Sequence, residues 1–344
     1  MQICVIPGDG IGPEVIAVAT AALRTLAPDL TLTEAEAGWG VFQRTGVALP
    51  ADTLAAARSA TAILFGAVAS PSHPVSGYRS PIIELRRTLD LYANIRPTIG
   101  PGVDLVVVRE NTEDLYSGRE HLEDNGNTAI AERIITRAAS VRIVRTACEL
   151  ARTRQAAGHP GRVTIVHKAN VLRVSDGLFR TVAFEVAADY PDLTFEERLV
   201  DVAAMQLAAQ PQRFDVIVTT NLFGDILSDI ACIHGGGLGV AASSNLGQGK
   251  ALFEPVHGAA PDIAGRGIAN PTAALNCVVM LLEWMGRSNS AARLRQAMAA
   301  VNAAGIATPD VGGNATTREV ADAILEQLTT TESERSLTDA YRMP

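Results

Sequence analysis

Short apolar runs that alternate with longer amphipathic stretches constrain this chain more than any other feature. Gln2–Ile6, Ala62–Gly66, Val163–His167 and Asp215–Thr219 are each brief and rich in branched residues, as buried strands are. Thr31–Ala37, Tyr92–Pro97, Val103–Glu110 and Thr194–Val200 also read as extended. Between and after them lie helix-like segments: Pro13–Leu26, Ala51–Arg58, Ile82–Leu89, Asp176–Ala188, Val202–Ala208, Pro271–Met285, Ser290–Ala303 and Thr316–Leu328. Strands that alternate with helices require crossover connections, so the expected class is α/β with mostly parallel sheets flanked by helices. The polar stretch 118–134 suits an arm or hairpin. The last fifteen residues, from Thr330, are polar and are expected to fray.

At 344 residues the chain is long enough for two domains. A net charge of −8 without basic runs argues against a nucleic-acid surface. Cys4, Cys148, Cys232 and Cys277 form no C-x-x-C pair and read as buried, reduced thiols. The chain enters a strand directly with no leader-like segment, and its longest apolar run, near Cys277–Leu282, is far too short for a membrane helix. The expectation is a soluble cytoplasmic protein.

One stretch carries the strongest chemical signal. In Asp215–Asp229 a buried strand ends at Asn221 and a helix begins, with Asp225 and Asp229 four residues apart on one face. Such a pair either grips a divalent cation above the sheet edge or is an acidic first turn favoured by the helix dipole. Ile226, Leu227 and Ile230 are expected to bury the other faces. The loop Gly8-Asp9-Gly10-Ile11-Gly12-Pro13 lies where a phosphate cradle would, but its G-x-G-x-G spacing lacks the Rossmann fingerprint and reads more readily as a tight turn. Arg86, Arg96 and Arg109 either hold an anionic substrate or pair with Glu84, Asp90 or Glu110. Tyr116 and Lys168 are proton-transfer candidates, Lys168 because it follows an apolar strand. Asp201 alone reads as a helix cap. Glu254–Thr272 is a long loop rich in turn residues in which His257 and Asp262 are candidate ligand contacts.

PGDGIGPE, LDLYANIRP, VVRENTEDLY, HKANVL, TTNLFGDILSD and EPVHGAAPDIAGRGIANPTA occur in the order found in the β-decarboxylating dehydrogenases. From Ile3 to about Leu328 the chain resembles that family, which includes isocitrate, 3-isopropylmalate, homoisocitrate and tartrate dehydrogenases. The resemblance implies a two-domain isopropylmalate-dehydrogenase-like fold without a Rossmann fingerprint. Residues 1–91 and 236–344 would form a large, cofactor-side domain, and 92–235 a small domain with a dimerisation arm. It further implies a homodimer with shared active sites, paired into tetramers in some members.

By the same resemblance, Asp225, Asp229 and the Asp201 position of the neighbouring subunit look like ligands of Mg²⁺ or Mn²⁺. Lys168 resembles the group that takes the substrate hydroxyl proton, and Tyr116 the acid that protonates the enolate left by decarboxylation. Arg86, Arg96 and Arg109 would hold carboxylates, and Asn170 would position nicotinamide or substrate. Ile11, Glu254, His257, Gly258, Ala260 and Asn270 would shape the adenosine site. Asp262 matches the acid that NAD-using members place on the ribose, so NAD is the expected cofactor.

The segment GYRSPIIELRR most resembles homoisocitrate dehydrogenases, with Ser80 in place but Ile82 where isocitrate enzymes have Asn. Tyr78, Arg79 or His73 would then reach a distal carboxylate, while Ile82 and Ile83 pack the substrate chain. Some homoisocitrate enzymes carry Arg where this chain has Ile83. The expected reaction is oxidative decarboxylation of a (2R,3S)-type hydroxy polycarboxylate, homoisocitrate to 2-oxoadipate in the aminoadipate route to lysine, with isocitrate also accepted. The alternatives are 3-isopropylmalate dehydrogenase of leucine biosynthesis and a non-catalytic regulatory relative.

Overall fold

The computed structural model describes residues 1–73 and 75–340, of which 331–340 are described by backbone alone. The chain divides into two compact units. The first comprises Met1–Leu85, Leu238–Ser244 and Lys250 onward, and the second comprises Arg86–Gly237 and Asn245–Gly249.

The first unit opens with β1 (Gln2–Gly8), α1 (Gly12–Leu26), β2 (Thr31–Glu34), α2 (Trp39–Thr45), α3 (Ala51–Ser59) and β3 (Ala62–Ala67). After α4 (Pro81–Thr88), which straddles the division, the second unit holds β4 (Ala93–Gly100), β5 (Val103–Glu110), β6 (Glu120–Glu123), β7 (Thr128–Ala131) and α5 (Arg137–Ala156). It continues with β8 (Arg162–His167), α6 (Ser175–Ala187), β9 (Thr194–Leu199), α7 (Val200–Ala209), β10 (Val216–Thr219) and α8 (Asn221–Cys232). The chain closes with β11 (Ala242–Gly247), β12 (Lys250–Pro255), α9 (Thr272–Trp284), α10 (Ser288–Ala303) and α11 (Thr317–Ala340).

In the first unit β2, β1, β3 and β12 lie side by side and all pair in parallel. Helix α1 packs on this sheet and on α9 and α11. In the second unit the order is β4-β5-β10-β8-β9, with β4 antiparallel to β5 and every other pair parallel. Successive residues of β10 serve opposite faces. Val216 and Val218 join Ile143, Val144 and Phe179 of α5 and α6, while Ile217 joins Leu207, Leu227 and Ala231 of α7 and α8. A sheet covered on both faces leaves no polar side to its central strand, which is why β10 reads as an unbroken apolar run.

The stretch 118–134 contains the antiparallel hairpin β6–β7. Two of the departures from the sequence reading have causes in local composition. Helix α5 was not expected because its arginines mask a stripe of Ile143, Val144, Ala147, Cys148 and Ala151, all fully buried. Strands β11 and β12 carry Ser, Asn and Lys, which weaken a strand pattern. Helix α11 continues through Ala340, where fraying was expected, and residues 341–344 lie outside the described residues. All four cysteines are buried and free. Among the described residues no helix is long and apolar enough to cross a membrane.

The glycine-rich loop after β1 is a structural junction. A Cβ on Gly10, which sits at φ +58°, would fall 2.0 Å from the Ala259 carbonyl oxygen, so only glycine fits. The Asp9 carboxylate accepts the N–H groups of Trp39 (2.7 Å), Gly40 (2.9 Å) and Ala69 (2.9 Å), capping α2 and tethering the chain beyond β3. Asp9→Ala strands three amide donors and is expected to lower unfolding free energy by about 2 to 4 kcal/mol, at roughly 1 kcal/mol or more per lost bond, read by urea denaturation. An unchanged midpoint would show that water replaces the carboxylate without loss.

Candidate active site

The second unit gathers the candidate polar groups at one edge of its sheet. Arg109 stands near the carboxyl end of β5, Lys168 directly follows β8, Asp201 lies one residue into the helix that follows β9, and α8 follows β10. These four strands are mutually parallel, so their carboxyl ends point the same way, and helices start there with free N–H groups. Antiparallel β4 delivers Arg96 and Asn94 opposite Val107 and Arg109 of β5.

Helix α8 presents Asp225 and Asp229 to this edge. Arg109, only 1 % exposed, donates from Nη1 to Asp225 and from Nε to Asn221 Oδ1 at 3.0 Å. One nitrogen of Arg96 lies 3.2 Å from Asp225, 3.4 Å from Asp229 and 2.8 Å from the Ser228 hydroxyl. The two carboxylates therefore converge on a single cationic nitrogen. The Tyr116 hydroxyl donates to the other Asp225 oxygen, and Arg109 lies 5.0 Å from the Tyr116 ring centre.

Burial pushes the Asp225 carboxyl up, but Arg109 and Arg96, the Tyr116 hydroxyl and Arg86 outweigh it and hold it below the usual carboxylate range. Asp229 is raised by burial and by Asp225, against the pull of Arg96. Tyr116 is raised by burial and by its bond to Asp225, so the phenol keeps its proton. Two of the other partners named for the arginines have bonds elsewhere. Asp90 pairs with Arg142, and Glu110 accepts the N–H groups of Thr112 and Glu113. Of the apolar residues expected to bury α8, Leu227 is fully buried, but Ile226 is 49 % exposed because the helix leaves that flank open.

Lys168 pairs with Asp201, from the adjacent strand's end. Asn170 sits exposed in the turn that follows. Among the described residues no three His, Cys, Asp or Glu side chains form a group able to hold a metal, so Asp201 does not join Asp225 and Asp229 within one chain.

In the first unit the Ile11 N–H donates to the Ala259 carbonyl at 2.9 Å, fixing the glycine loop against the segment that carries His257, Gly258, Ala260 and Asp262. Ala260 adopts φ +40°. Burial holds His257 below the usual imidazole range. The Asn270 amide donates to Asp310 at 3.1 Å and accepts the Thr272 N–H at 3.0 Å, beside a cavity of about 280 Å³ lined by Thr308, Val311 and Ile324. Asp262 and Gly258 are exposed and Glu254 is buried. Tyr78 packs edge-on against Trp39 and Phe42 at 5.3 Å and donates to the Ala69 carbonyl at 3.1 Å, so its hydroxyl serves the loop's own backbone. Arg79 is exposed, and the Ser80 carbonyl accepts the Glu84 N–H at the start of α4.

The model of the isocitrate/isopropylmalate dehydrogenase family matches residues 2–324. The chain belongs to that family. It is 48 % identical to an isocitrate/homoisocitrate dehydrogenase of Thermus thermophilus, over 95 % of this chain and 98 % of the relative. It is 46 % identical to a 3-isopropylmalate/3-methylmalate dehydrogenase of Methanocaldococcus jannaschii, with the same coverage. The crystal structure of an isocitrate dehydrogenase from Methylococcus capsulatus superposes with a TM-score of 0.89 at 42 % identity, covering 95 % of this chain and 99 % of that one. This family member is thus a decarboxylating dehydrogenase, from a family that depends on NAD and a metal and acts on small hydroxy acids.

Several residues that support the dehydrogenase site escaped the sequence reading. Gly224 lies inside α8, and a Cβ there would meet Arg109 Cγ at 2.6 Å, so glycine lets the helix lie on the guanidinium stem. A glycine within a helix that otherwise favours longer residues was the available signal. Asn94 accepts from Arg96 Nε at 2.8 Å and donates to Asn245 at 2.7 Å, and Asn111 donates to the same Asn245 oxygen at 2.9 Å. Asparagine at strand positions of ANIRP is unfavourable without such a network.

Gly224→Ala is expected to push α8 off Arg109 and lower kcat by about 10- to 100-fold, since small displacements of catalytic groups cost rates of that order. Wild-type turnover by this variant would show that the helix yields without consequence. The Glu113 carboxyl accepts the Thr136 N–H and hydroxyl, both at 2.8 Å, yet burial pushes it up to about 7. An acid with a raised folded pKa favours the native state below its ordinary value of 4.5 and loses that contribution as pH rises through about 7. The thermal midpoint should therefore fall across this window in wild type and fall less in Glu113→Gln.

Proposed function

We propose that the enzyme catalyses NAD-dependent, metal-assisted oxidation and decarboxylation of homoisocitrate to 2-oxoadipate and CO₂, a step of the aminoadipate route to lysine in the cytoplasm, with isocitrate as a second substrate. The observation that carries the reading is the convergence of Asp225 and Asp229 on one nitrogen of Arg96, with Arg109 and Tyr116 also bonded to Asp225. Paired hard oxygen donors on one helix face fit Mg²⁺ or Mn²⁺, with Asp201 of a second copy as the third carboxylate. The chemistry such groups would supply is electrophilic stabilisation of charge on the C2 oxygen by the cation and a hydride acceptor in the nicotinamide.

The chain's own residues then have separable tasks. Arg86, Arg96 and Arg109 bind substrate carboxylates, and Arg96 and Arg109 are already buried beside Asp225. Lys168 takes the C2 hydroxyl proton as the carbonyl forms. Loss of the β-carboxylate as CO₂ leaves an enolate, and Tyr116, whose phenol burial keeps protonated, gives its proton to C3. Asn170 steadies nicotinamide or substrate. Ile11, Glu254, His257, Gly258, Ala260 and Asn270 line the adenosine site, and Asp262, exposed on the same segment, accepts from the ribose hydroxyls and repels a 2′-phosphate, which favours NAD over NADP. The reading includes a homodimer, which the separation of the Lys168–Asp201 pair from Asp225 and Asp229 within one chain supports.

Arg79 and Ser80 face the distal carboxylate in this reading, with Tyr78 holding the loop and Ile82 and Ile83 packing the substrate chain. Those two isoleucines also favour a second reading, 3-isopropylmalate, to which one of the relatives is assigned by name.

NADH formation with Mn²⁺ should give the highest kcat/KM on homoisocitrate, a lower value on isocitrate, and no rate after chelation of the metal. Preference for 3-isopropylmalate would replace the substrate reading, and no turnover on any of these acids would sink the reaction. Lys168→Met is expected to lower kcat by about 10²- to 10⁴-fold while NADH binding, followed by fluorescence, stays intact.

A further inference from the structure

The segments that carry Tyr116, Lys168 and Asp225 meet at a buried cluster that none of the roles above uses. Its centre is Arg133, between β7 and α5. Arg133 Nε donates to Asp114 at 2.6 Å, Nη1 donates to Asp176, and Nη2 donates to the Thr220 hydroxyl at 2.8 Å. The guanidinium also lies 4.6 Å from the Phe223 ring centre. Both aspartate side chains are fully buried.

Each aspartate spends its remaining capacity on backbone. Asp114 accepts the Leu115 N–H at 2.9 Å and the Leu222 N–H at 3.0 Å, and its own N–H donates to the Ile134 carbonyl at 2.8 Å. Asp114 thereby caps α8, whose preceding residue Thr220 makes no capping bond of its own. Asp176 accepts the Lys168 N–H at 2.6 Å. Asp114 holds φ +71°, a left-handed conformation that a non-glycine residue keeps only where its surroundings over-determine it. Two buried carboxylates against one guanidinium leave a surplus negative charge, which the three N–H donors and the amino end of α8 offset.

We propose that Arg133 is a positioning residue that sets the Tyr116 turn, the Lys168 turn and the start of α8 in one register, through Asp114 and Asp176. The inference rests on the reaction proposed above, in that those three segments carry the acid, the base and the metal-binding helix. Its geometry explains why the planar fork is needed. Three acceptors on three different segments are reached by three nitrogens held in one plane, and a lysine ammonium reaches fewer of them in a fixed arrangement.

The test compares the full-length wild type with Arg133→Lys and Arg133→Met, by amide hydrogen exchange and by steady-state kinetics with homoisocitrate, NAD and Mn²⁺. In Arg133→Met the Lys168 and Leu222 amides are expected to lose protection together, each by about tenfold or more, although they sit on different elements. kcat should fall by about 100-fold with KM for NAD little changed, and Arg133→Lys should recover part of the loss. Loss of protection at only one of the two amides, or unchanged kcat with both amides released, overturns the proposal. If Arg133→Met fails to fold, Asp176→Asn takes its place, with the Lys168 and Leu222 amides both expected to lose protection and kcat to fall; loss at the Lys168 amide alone overturns the proposal. Hydrogen exchange needs no substrate. A wild type that turns over none of the hydroxy acids therefore fails the reaction reading, while the paired amides still decide whether Arg133 couples the segments.

Discussion

A guanidinium that is almost wholly buried and keeps its proton must have an anion beside it, and Arg109 has Asp225. That single pairing sets much else in the second unit. It requires α8 to lie flat on β5, which Gly224 permits by leaving no Cβ against the arginine stem. It draws Arg96 to the same carboxylate and aligns the Tyr116 hydroxyl on the other oxygen. Asp225 in turn stays ionised although burial opposes it, because cations and a hydroxyl surround it.

The position of that cluster follows from strand direction. Four parallel strands, β5, β10, β8 and β9, end at a common edge, so the residue after each strand is brought near the residues after its neighbours without any sequence proximity. Lys168 and Asp201 meet on this principle from adjacent strands. Antiparallel β4 enters the same edge from the opposite direction and contributes Arg96 from its interior. Part of the cost of polar groups within a covered sheet is met by an amide network, Asn94, Asn111 and Asn245, behind the arginine.

The family and the fold class were legible before any coordinates, because six motifs in order and alternating strand and helix patterns both survive as local sequence. Partners were less so. Arg96 and Arg109 were read as holding a substrate or pairing with Glu84, Asp90 or Glu110, and their partners within the chain are the aspartates of α8, since partner choice depends on which segments the sheet brings together. Tyr78, one of three residues read as reaching a distal carboxylate, packs on Trp39 and Phe42, a contact the sequence did not show because their short helix is too brief to read. Helix α5 was hidden by its surface arginines.

By itself the sequence determined that parallel strands would alternate with helices, that Asp225 and Asp229 would share a helix face, and that the glycine loop was no Rossmann fingerprint. Each of these is a matter of spacing along a local backbone of known period. Only the tertiary structure decided that one arginine nitrogen reaches both aspartates, that Asp9 caps a distant helix, and that Arg133 joins three segments through two buried carboxylates. Those are pairings across long sequence separations, and the physical rule behind them, that a buried charge must be matched, names the need without naming the partner.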